Sequence, residues 1–273
     1  MSISYAVVTR FMNWMPVVHP SVLGGVTRMP NIVVLVKQVP DTNAKIAISG
    51  ETVDLSAVKM VMSPYDEFAL ETALLHKEAA GGEVTALTVG GPAAEKILKD
   101  AKAMGVDNIV RIETSDSMDT NALQTVLKDA ISSLGAEVVY CGKSAADTGA
   151  GSTGPGVAER LGWSSASNVV SASFDGGLSV TAPGNGGNVR LSVPLPAVVS
   201  CDKGSFKVRK ANIKGIMQAK KAAVDVRAIE ALPSTATVVN QSLPPAKPAG
   251  KSYQGGEAAA EVAQLLRDEA NVL

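Results

Sequence analysis

The segment Gly142–Gly156, GKSAADTGAGSTGPG, has the composition of an anion cradle. Its Gly, Ala, Ser and Thr residues are small enough to let backbone N–H groups approach a phosphate. A helix opening at its end would add the positive end of a dipole. No Gly-Lys-Ser/Thr closes the segment, so it is not a Walker A loop, and no clean GxGxxG follows the first strand. Taken alone it also fits a flexible linker. Other chemistry is sparse. The 273 residues hold two His, His19 and His76, and two Cys, Cys141 and Cys201. That count excludes a disulfide scaffold and zinc-type spacing, and both Cys read as small buried hydrophobes in a reducing compartment. Paired carboxylates and a Ser-His-Asp set are also missing. Lys37, Tyr65 and Asp66 lie near strand ends and invite a catalytic reading. They are better explained with Asp66 as a helix-start acid favourable to the dipole and Lys37 as a loop-orienting cation.

The elements that must position this segment follow from pattern. Asn31–Lys37 (NIVVLVK) is a continuous β-branched run and reads as a buried strand stopped by Gln38-Val39-Pro40-Asp41-Thr42. A polar hairpin-like stretch continues to Ser49-Gly50. Ser63-Pro64-Tyr65-Asp66 starts a helix: Ser63 to cap, Pro64 in the first helical position, and Asp66 three residues after the cap. That helix ends at Gly81-Gly82. Glu83–Val89 is the next strand, Gly90-Gly91-Pro92 turns into a helix ending at Gly105, and Asn108–Ile112 is a short strand. A helix from about Thr120 to Leu134 is closed by Gly135, and Glu137–Cys141 is again a buried strand. Alternating strands and helices predict a doubly wound, mostly parallel α/β sheet with right-handed crossovers. Ligands in such sheets sit beyond the carboxyl ends of the strands, which selects the loops after Val36, Val89 and Cys141. Ser171–Leu191 changes to short alternating pieces around Gly turns and predicts a small β-hairpin insertion. Pro196–Cys201 returns to a buried strand.

From Lys203 the chain turns basic, with Ile213 standing among cations, which suits either a solvated face or a docking surface. Pro233, Pro244, Pro245 and Pro248 mark an extended arm, and about Gly256–Leu266 reads as a final amphipathic helix. The expected divisions are residues 1–30 as an extension, 31–229 as the α/β domain, and 230–273 as arm and helix. With 25 Lys plus Arg against 26 Asp plus Glu, nothing points to nucleic acid. No apolar run approaches the ~20 residues that insertion into a membrane requires. Residues 1–30 carry Arg10 and Arg28 and no acid. Three readings fit them: synthesis starting at Met29, a genuine extension, or a targeting peptide.

Seven segments in order carry a resemblance: VLVKQVPDT, SPYDEFALETAL, ALTVGGP, AMGVD, GKSAADTG, LPAVVS and IKGIMQAKK. Together they are similar to the electron transfer flavoprotein β-subunit family, over about Asn31–Ile229 and more loosely the tail. The resemblance implies a Rossmann-like domain of the adenine-nucleotide-binding type and a heterodimer with an α subunit that holds most of an electron-carrying FAD. It also implies a structural AMP in this chain and an arm that wraps onto α. No catalytic side chain is implied. Electrons would come from dehydrogenases such as acyl-CoA dehydrogenases in fatty acid oxidation and pass to a membrane quinone reductase. The expected compartment is the cytoplasm, or the mitochondrial matrix if residues 1–30 are a transit peptide. An electron-bifurcating variant with a second FAD in place of AMP is an alternative within the family. A stand-alone adenine-nucleotide-binding regulatory module is an alternative outside it.

By position, the resemblance puts nucleotide contacts at Leu35, at Ser63, Pro64, Tyr65 and Asp66, and at Val89. It adds the loop Gly142, Lys143, Ser144, Ala145, Ala146, Asp147, Thr148, Gly149, Ala150, Gly151, Ser152 and Thr153. Asp147 matches the family's acidic loop position. Gly151 and Ser152 replace an Asn-Gln or Ala-Gln pair and Gly149 replaces an acid, which removes side-chain hydrogen bonds and leaves backbone N–H groups. Ile213 matches an apolar anchor for a partner dehydrogenase, with Lys210 and Lys214 beside it for charge steering. Ser173 stands where many members carry a Glu.

Overall fold

Strand β1 (Asn31–Leu35) shows why the sheet must be covered on both faces: its side chains alternate between two separate apolar layers. Ile32 and Val34 enter one layer, Val33 and Leu35 the other. The computed structural model describes residues 29–272 apart from 115–117, 176, 205, 229–232 and 248. The readings of residues 1–28 lie outside the described residues. The described chain forms two units. One runs through Asn43 and then Lys59–Ala236; the other combines Ala44–Val58 with Thr237–Leu273.

After β1 come β2 (Gln38–Pro40), the hairpin β3 (Ala47–Ser49) and β4 (Thr52–Asp54), then β5 (Met60–Met62) and α1 (Pro64–Ala80). The segment Gln38–Pro40 does more than stop β1, because it pairs antiparallel with Met60–Met62. Next follow β6 (Glu83–Val89), α2 (Glu95–Met104), β7 (Asn108–Glu113), α3 (Thr120–Ser133), β8 (Val138–Gly142) and α4 (Thr153–Leu161). The chain continues through β9 (Ser164–Val169), β10 (Ser171–Ser173), β11 (Leu178–Gly184), β12 (Gly187–Val193) and β13 (Ala197–Cys201). It closes with α5 (Ile213–Lys221), β14 (Asp225–Ala228) and α6 (Ala259–Asp268).

The main sheet has the order β14-β7-β6-β1-β8-β13-β9, and every neighbouring pair is parallel. This is the doubly wound fold expected from the sequence. Helices α1 and α2 cover one face, where Leu70, Leu74, Ile97 and Leu98 are buried against Ile32, Val34 and Tyr140. Helices α3 and α4 cover the other, where Val126, Leu127, Ile131 and Val157 meet Val33, Leu35 and Val139. Truncating one of these large side chains to Ala costs about 2–5 kcal/mol. The insertion is a three-stranded antiparallel sheet, β10-β11-β12. Gly184 pairs with Gly187, leaving Asn185-Gly186 as the two-residue turn that suits the twist of a hairpin.

A buried polar contact crosses the first layer. His76 of α1 stacks on Phe174 with ring centroids 4.2 Å apart, and its Nδ1 lies 2.9 Å from the hydroxyl of Tyr140 in β8. Burial pushes the imidazole down from 6.5 to about 4, so it is neutral in the folded protein at neutral pH. The unfolded chain binds this proton below 6.5 and the folded protein does not until about 4. His76 therefore contributes stability that is present above pH 6.5 and lost as pH falls toward 4. The loss is up to about 3 kcal/mol. Urea unfolding across pH 7 to 4 should show a shallower acid decline in His76→Gln than in wild type. Parallel declines would remove His76 as a cause.

In the second unit, β3 and β4 form a hairpin turned at Gly50. The arm passes beside it: Gln241 donates its backbone N–H to Glu51 O at 2.9 Å, and Gln241 Oε1 accepts the N–H of Val53. Helix α6 has no buried residue.

Candidate functional site

β1 connects toward β6 on one side of the sheet and lies against β8 on the other, so the loops leaving β1 and β8 diverge. A cleft of about 200 Å3 opens at this point, beyond the carboxyl ends of β1, β6 and β8. This is the crevice in which open parallel sheets bind ligands.

Of the residues expected at the site, Leu35, Asp66, Val89, Gly142, Lys143, Ser144, Ala145, Thr148, Ala150, Gly151 and Thr153 line the cleft. Ser63, Pro64, Tyr65, Ala146, Asp147, Gly149 and Ser152 do not. Ile213, Lys210 and Lys214 lie away from it, at and just before the start of α5. Ile213 is 80% exposed.

The floor of the cleft is organised by Asp66. Helix α1 starts after Ser63, whose carbonyl accepts the N–H of Asp66 and of Glu67. The Ser63 hydroxyl is buried and makes no capping bond. The Asp66 carboxyl turns inward and is 6% exposed. Its Oδ2 accepts the backbone N–H of Lys37 at 2.8 Å and its Oδ1 that of Gly142 at 3.0 Å. Asp66 stands in the first turn of α1, as the sequence reading placed it, and its carboxyl also pins together the ends of β1 and β8. Burial raises its pKa from 3.8 to about 7, against the opposing pull of the two N–H groups. Gly142 makes the approach possible, since a Cβ there would come within 2.8 Å of Tyr65 Cβ and 2.9 Å of Asp66 N.

The loop after β8 is held from three directions. Lys37 Nζ lies 2.7 Å from Asp147 Oδ2, the loop-orienting role expected for it. Lys143 Nζ lies 2.9 Å from Asp202 Oδ2 and 4.7 Å above the Tyr65 ring, and the hydrogen bond to Asp202 raises its pKa. Gln124 of α3 donates Nε2–H to Ser152 O at 2.9 Å. Gly149 and Gly151 take φ of +63° and +65°, a region that favours glycine. The N–H groups of Gly151, Ser152, Thr153 and Gly154 have no acceptor among the described residues, and they cluster where α4 begins. Small side chains, bare N–H groups and a helix start suit a phosphate.

The sequence reading missed the opposite wall. Met118, Thr120, Leu123 and Leu127 line the cleft from the start and inner face of α3. Leu123 and Leu127 are four residues apart on that helix, and this spacing was the available signal. Asp119 caps α3 by accepting the N–H of Ala122 at 2.8 Å. Its Oδ2 also accepts the Thr235 hydroxyl at 2.6 Å and the Ala236 N–H at 2.9 Å, which fastens the root of the arm. The hydrogen bond from Ala122, followed by that from the Thr235 hydroxyl, holds the Asp119 carboxyl far below the usual range.

The segment leading to α5 is fixed by an ion pair. Glu71 of α1 is 4% exposed and accepts from Arg209 Nε at 2.8 Å, Nη2 at 2.8 Å and the backbone N–H at 3.0 Å. Arg209 Nη1 reaches Glu78 at 2.6 Å. These contacts, led by the bonds to Glu71, raise the Arg209 pKa further. Cys141 and Cys201 are both buried and unbridged, in opposite apolar layers. Among the described residues no group of acidic, His and Cys side chains is placed to hold a metal. No described helix is long and apolar enough to cross a membrane.

Fold and cleft together define a doubly wound α/β protein with a ligand crevice between diverging loops. The profile of the electron transfer flavoprotein domain matches residues 51–232. The chain is 34% identical over 257 residues to an electron transfer flavoprotein subunit beta of Bacillus subtilis strain 168, covering 89% of this chain and 100% of that protein. It is 33% identical over 221 residues to the subunit beta of Syntrophomonas wolfei, covering 80% and 88%. A third relative is the acryloyl-CoA reductase electron transfer subunit gamma of Anaerotignum propionicum, 32% identical over 202 residues and covering 68% and 73%. The chain belongs to the electron transfer flavoprotein family, on its β-subunit branch. The relatives named here are electron transfer subunits.

Proposed function

We propose that this chain is the β-type subunit of an electron transfer flavoprotein heterodimer and that its cleft holds AMP. The electron-carrying chemistry would come from FAD held mostly by the α partner. Electrons would arrive from dehydrogenases, acyl-CoA dehydrogenases among them, and leave to a membrane quinone reductase. The cytoplasm, or the mitochondrial matrix if residues 1–30 are a transit peptide, is the proposed place of work. One observation carries the AMP reading: Gly151 and Thr153, whose N–H groups have no acceptor among the described residues, line a cleft of about 200 Å3 where α4 begins.

Each residue then has a task. Gly142–Thr153 would surround the phosphate, Leu123 and Leu127 would pack on the apolar part of the ligand, and Lys37 and Lys143 would hold the loop from behind. Residues 31–229 form the nucleotide domain in this reading, and 230–273 reach the α partner. The unburied α6 supports the second assignment. The 80% exposed Ile213, with Lys214 next to it and Lys210 nearby, fits a transient contact with a dehydrogenase. The family membership weighs against a stand-alone regulatory module.

The acryloyl-CoA reductase relative keeps a second reading alive, with FAD in this cleft and bifurcation of electrons. Acid release and quantification of nucleotides from the co-purified heterodimer separates the two. One FAD with one AMP is expected. Two FAD would replace AMP by the second reading, and one FAD alone would leave the cleft without its assigned ligand.

A further inference from the structure

We propose that Asp66 is a positioning residue for the nucleotide site whose carboxyl takes up a proton when an adenine nucleotide's phosphate enters the cleft. The inference rests on the AMP reading and adds what the site must do to admit an anion.

Asp66 lines the cleft and is nearly sealed from water. It already occupies two N–H donors at the divergence of β1 and β8, the place where a ligand's negative group commonly sits in such sheets. An internal carboxyl thus stands where an external anion would otherwise bind. A phosphate is displaced toward Gly151–Gly154 and the start of α4, yet remains in the same small cleft. Two anions in a poorly solvated space repel strongly.

The surroundings offer little relief. From the end of β1, Lys37 is nearest, but its ammonium is engaged by Asp147. From the loop after β8, Lys143 is engaged by Asp202, and Asp147 adds a negative charge. From β8 and β13, Cys141 and Cys201 face Asp66 as neutral thiols, Cys201 pushed up to about 12 by burial. On its own helix stand Tyr65 and Glu67, and the Glu67 carboxyl is raised by burial. The α3 wall contributes Met118, Thr120, Leu123 and Leu127, without charge. The economical response is for Asp66 to become neutral. Burial has already brought it to about 7, so the phosphate's repulsion acts on a carboxyl that is readily protonated. The linkage has a definite sign. Below pH 7 the carboxyl is mostly neutral and binding exchanges no proton at Asp66. Well above pH 7 each binding event must draw a proton, and affinity there falls about tenfold per pH unit.

The test is calorimetric titration of the nucleotide-stripped heterodimer with AMP from pH 6 to 8.5, in two buffers of different ionisation enthalpy. Wild type should take up close to one proton at pH 8 and bind about fivefold more weakly than at pH 7. Asp66→Asn should bind AMP with buffer-independent heat and a flat profile above pH 7. Adenosine, which lacks the phosphate, should draw no proton in wild type; this arm stands even if the variant does not fold. Proton uptake that persists in Asp66→Asn belongs to the phosphate or another group and overturns the proposal, as does AMP binding to wild type without uptake. Failure of wild type to bind AMP at every pH overturns the AMP reading itself.

Discussion

Arg209→Met is expected to lower stability by about 3 kcal/mol, because it strands the buried Glu71 carboxylate. The value is set toward the low end for a broken buried pair because Arg209 itself is partly exposed and solvent screens it. Both guanidinium contacts to Glu71 disappear at once, and only the backbone N–H of residue 209 still reaches the carboxylate. Arg209→Lys should lose less, since one ammonium replaces the fork only in part. The diagnostic variant is the double change Glu71→Gln with Arg209→Met. It removes the stranded charge and should recover more than half of the loss in urea unfolding. Additive losses would mean that the pair is decorative. A second readout follows from position. Arg209 ties the segment before α5 to α1, so the single variant should also raise protease sensitivity around Lys210–Asn212 before global unfolding.

Gly142→Ala is expected to empty the nucleotide site and to destabilise the chain by about 1–3 kcal/mol. The new methyl would press on Tyr65 Cβ at 2.8 Å and on the Asp66 backbone N at 2.9 Å. Backbone φ at Gly142 is not in the glycine-only region, so the cost is crowding and not torsional strain. Relief requires α1 to draw back, which breaks the bond from Gly142 N–H to Asp66 and separates the strand ends that frame the cleft. AMP content of the purified heterodimer should drop at least tenfold while FAD content stays near that of wild type. Full AMP retention would show that the closeness of α1 and β8 is immaterial. Gly162→Ala, outside the loop, is the control, because a Cβ there meets nothing within 4 Å and only the left-handed backbone objects.

The sequence was most legible where burial is two-sided. Asn31–Leu35, Val138–Gly142 and Ala197–Cys201 are nearly all buried, so unbroken apolar runs marked them as central strands. Edge strands carry no such mark. Ser164–Val169 reads SSASNV and Asp225–Ala228 reads DVRA; both take their place by pairing with a stronger neighbour, and neither was anticipated. The basic segment was read as a solvated face or a docking surface with no element assigned to it, and there Ile213 opens a helix capped by Asn212, whose side chain accepts the N–H of Gly215 at 2.7 Å. Gly215 lets that helix rest on Ala103 O of α2, a contact between distant segments. In the cleft, the glycine-rich loop announced itself by composition. The bridging by Asp66 did not, because its partners at Lys37 and Gly142 are 29 and 76 residues away. A local reading gives such an acid to the helix dipole; only the assembled sheet shows that it belongs to two strands.

The hook at Asp119 bears on how a second polypeptide would be captured. Because Thr235 and Ala236 are secured to the start of α3, the tail beyond them is a fishing line fixed at its reel. Any foothold gained by Val238, Val239 or Leu243, which are all exposed, then raises the local abundance of every later residue along the line. Cutting the line at its reel would leave each individual grip as strong as before but make the grips independent of one another. The penalty would appear as slower, concentration-dependent assembly and not as a weaker fold.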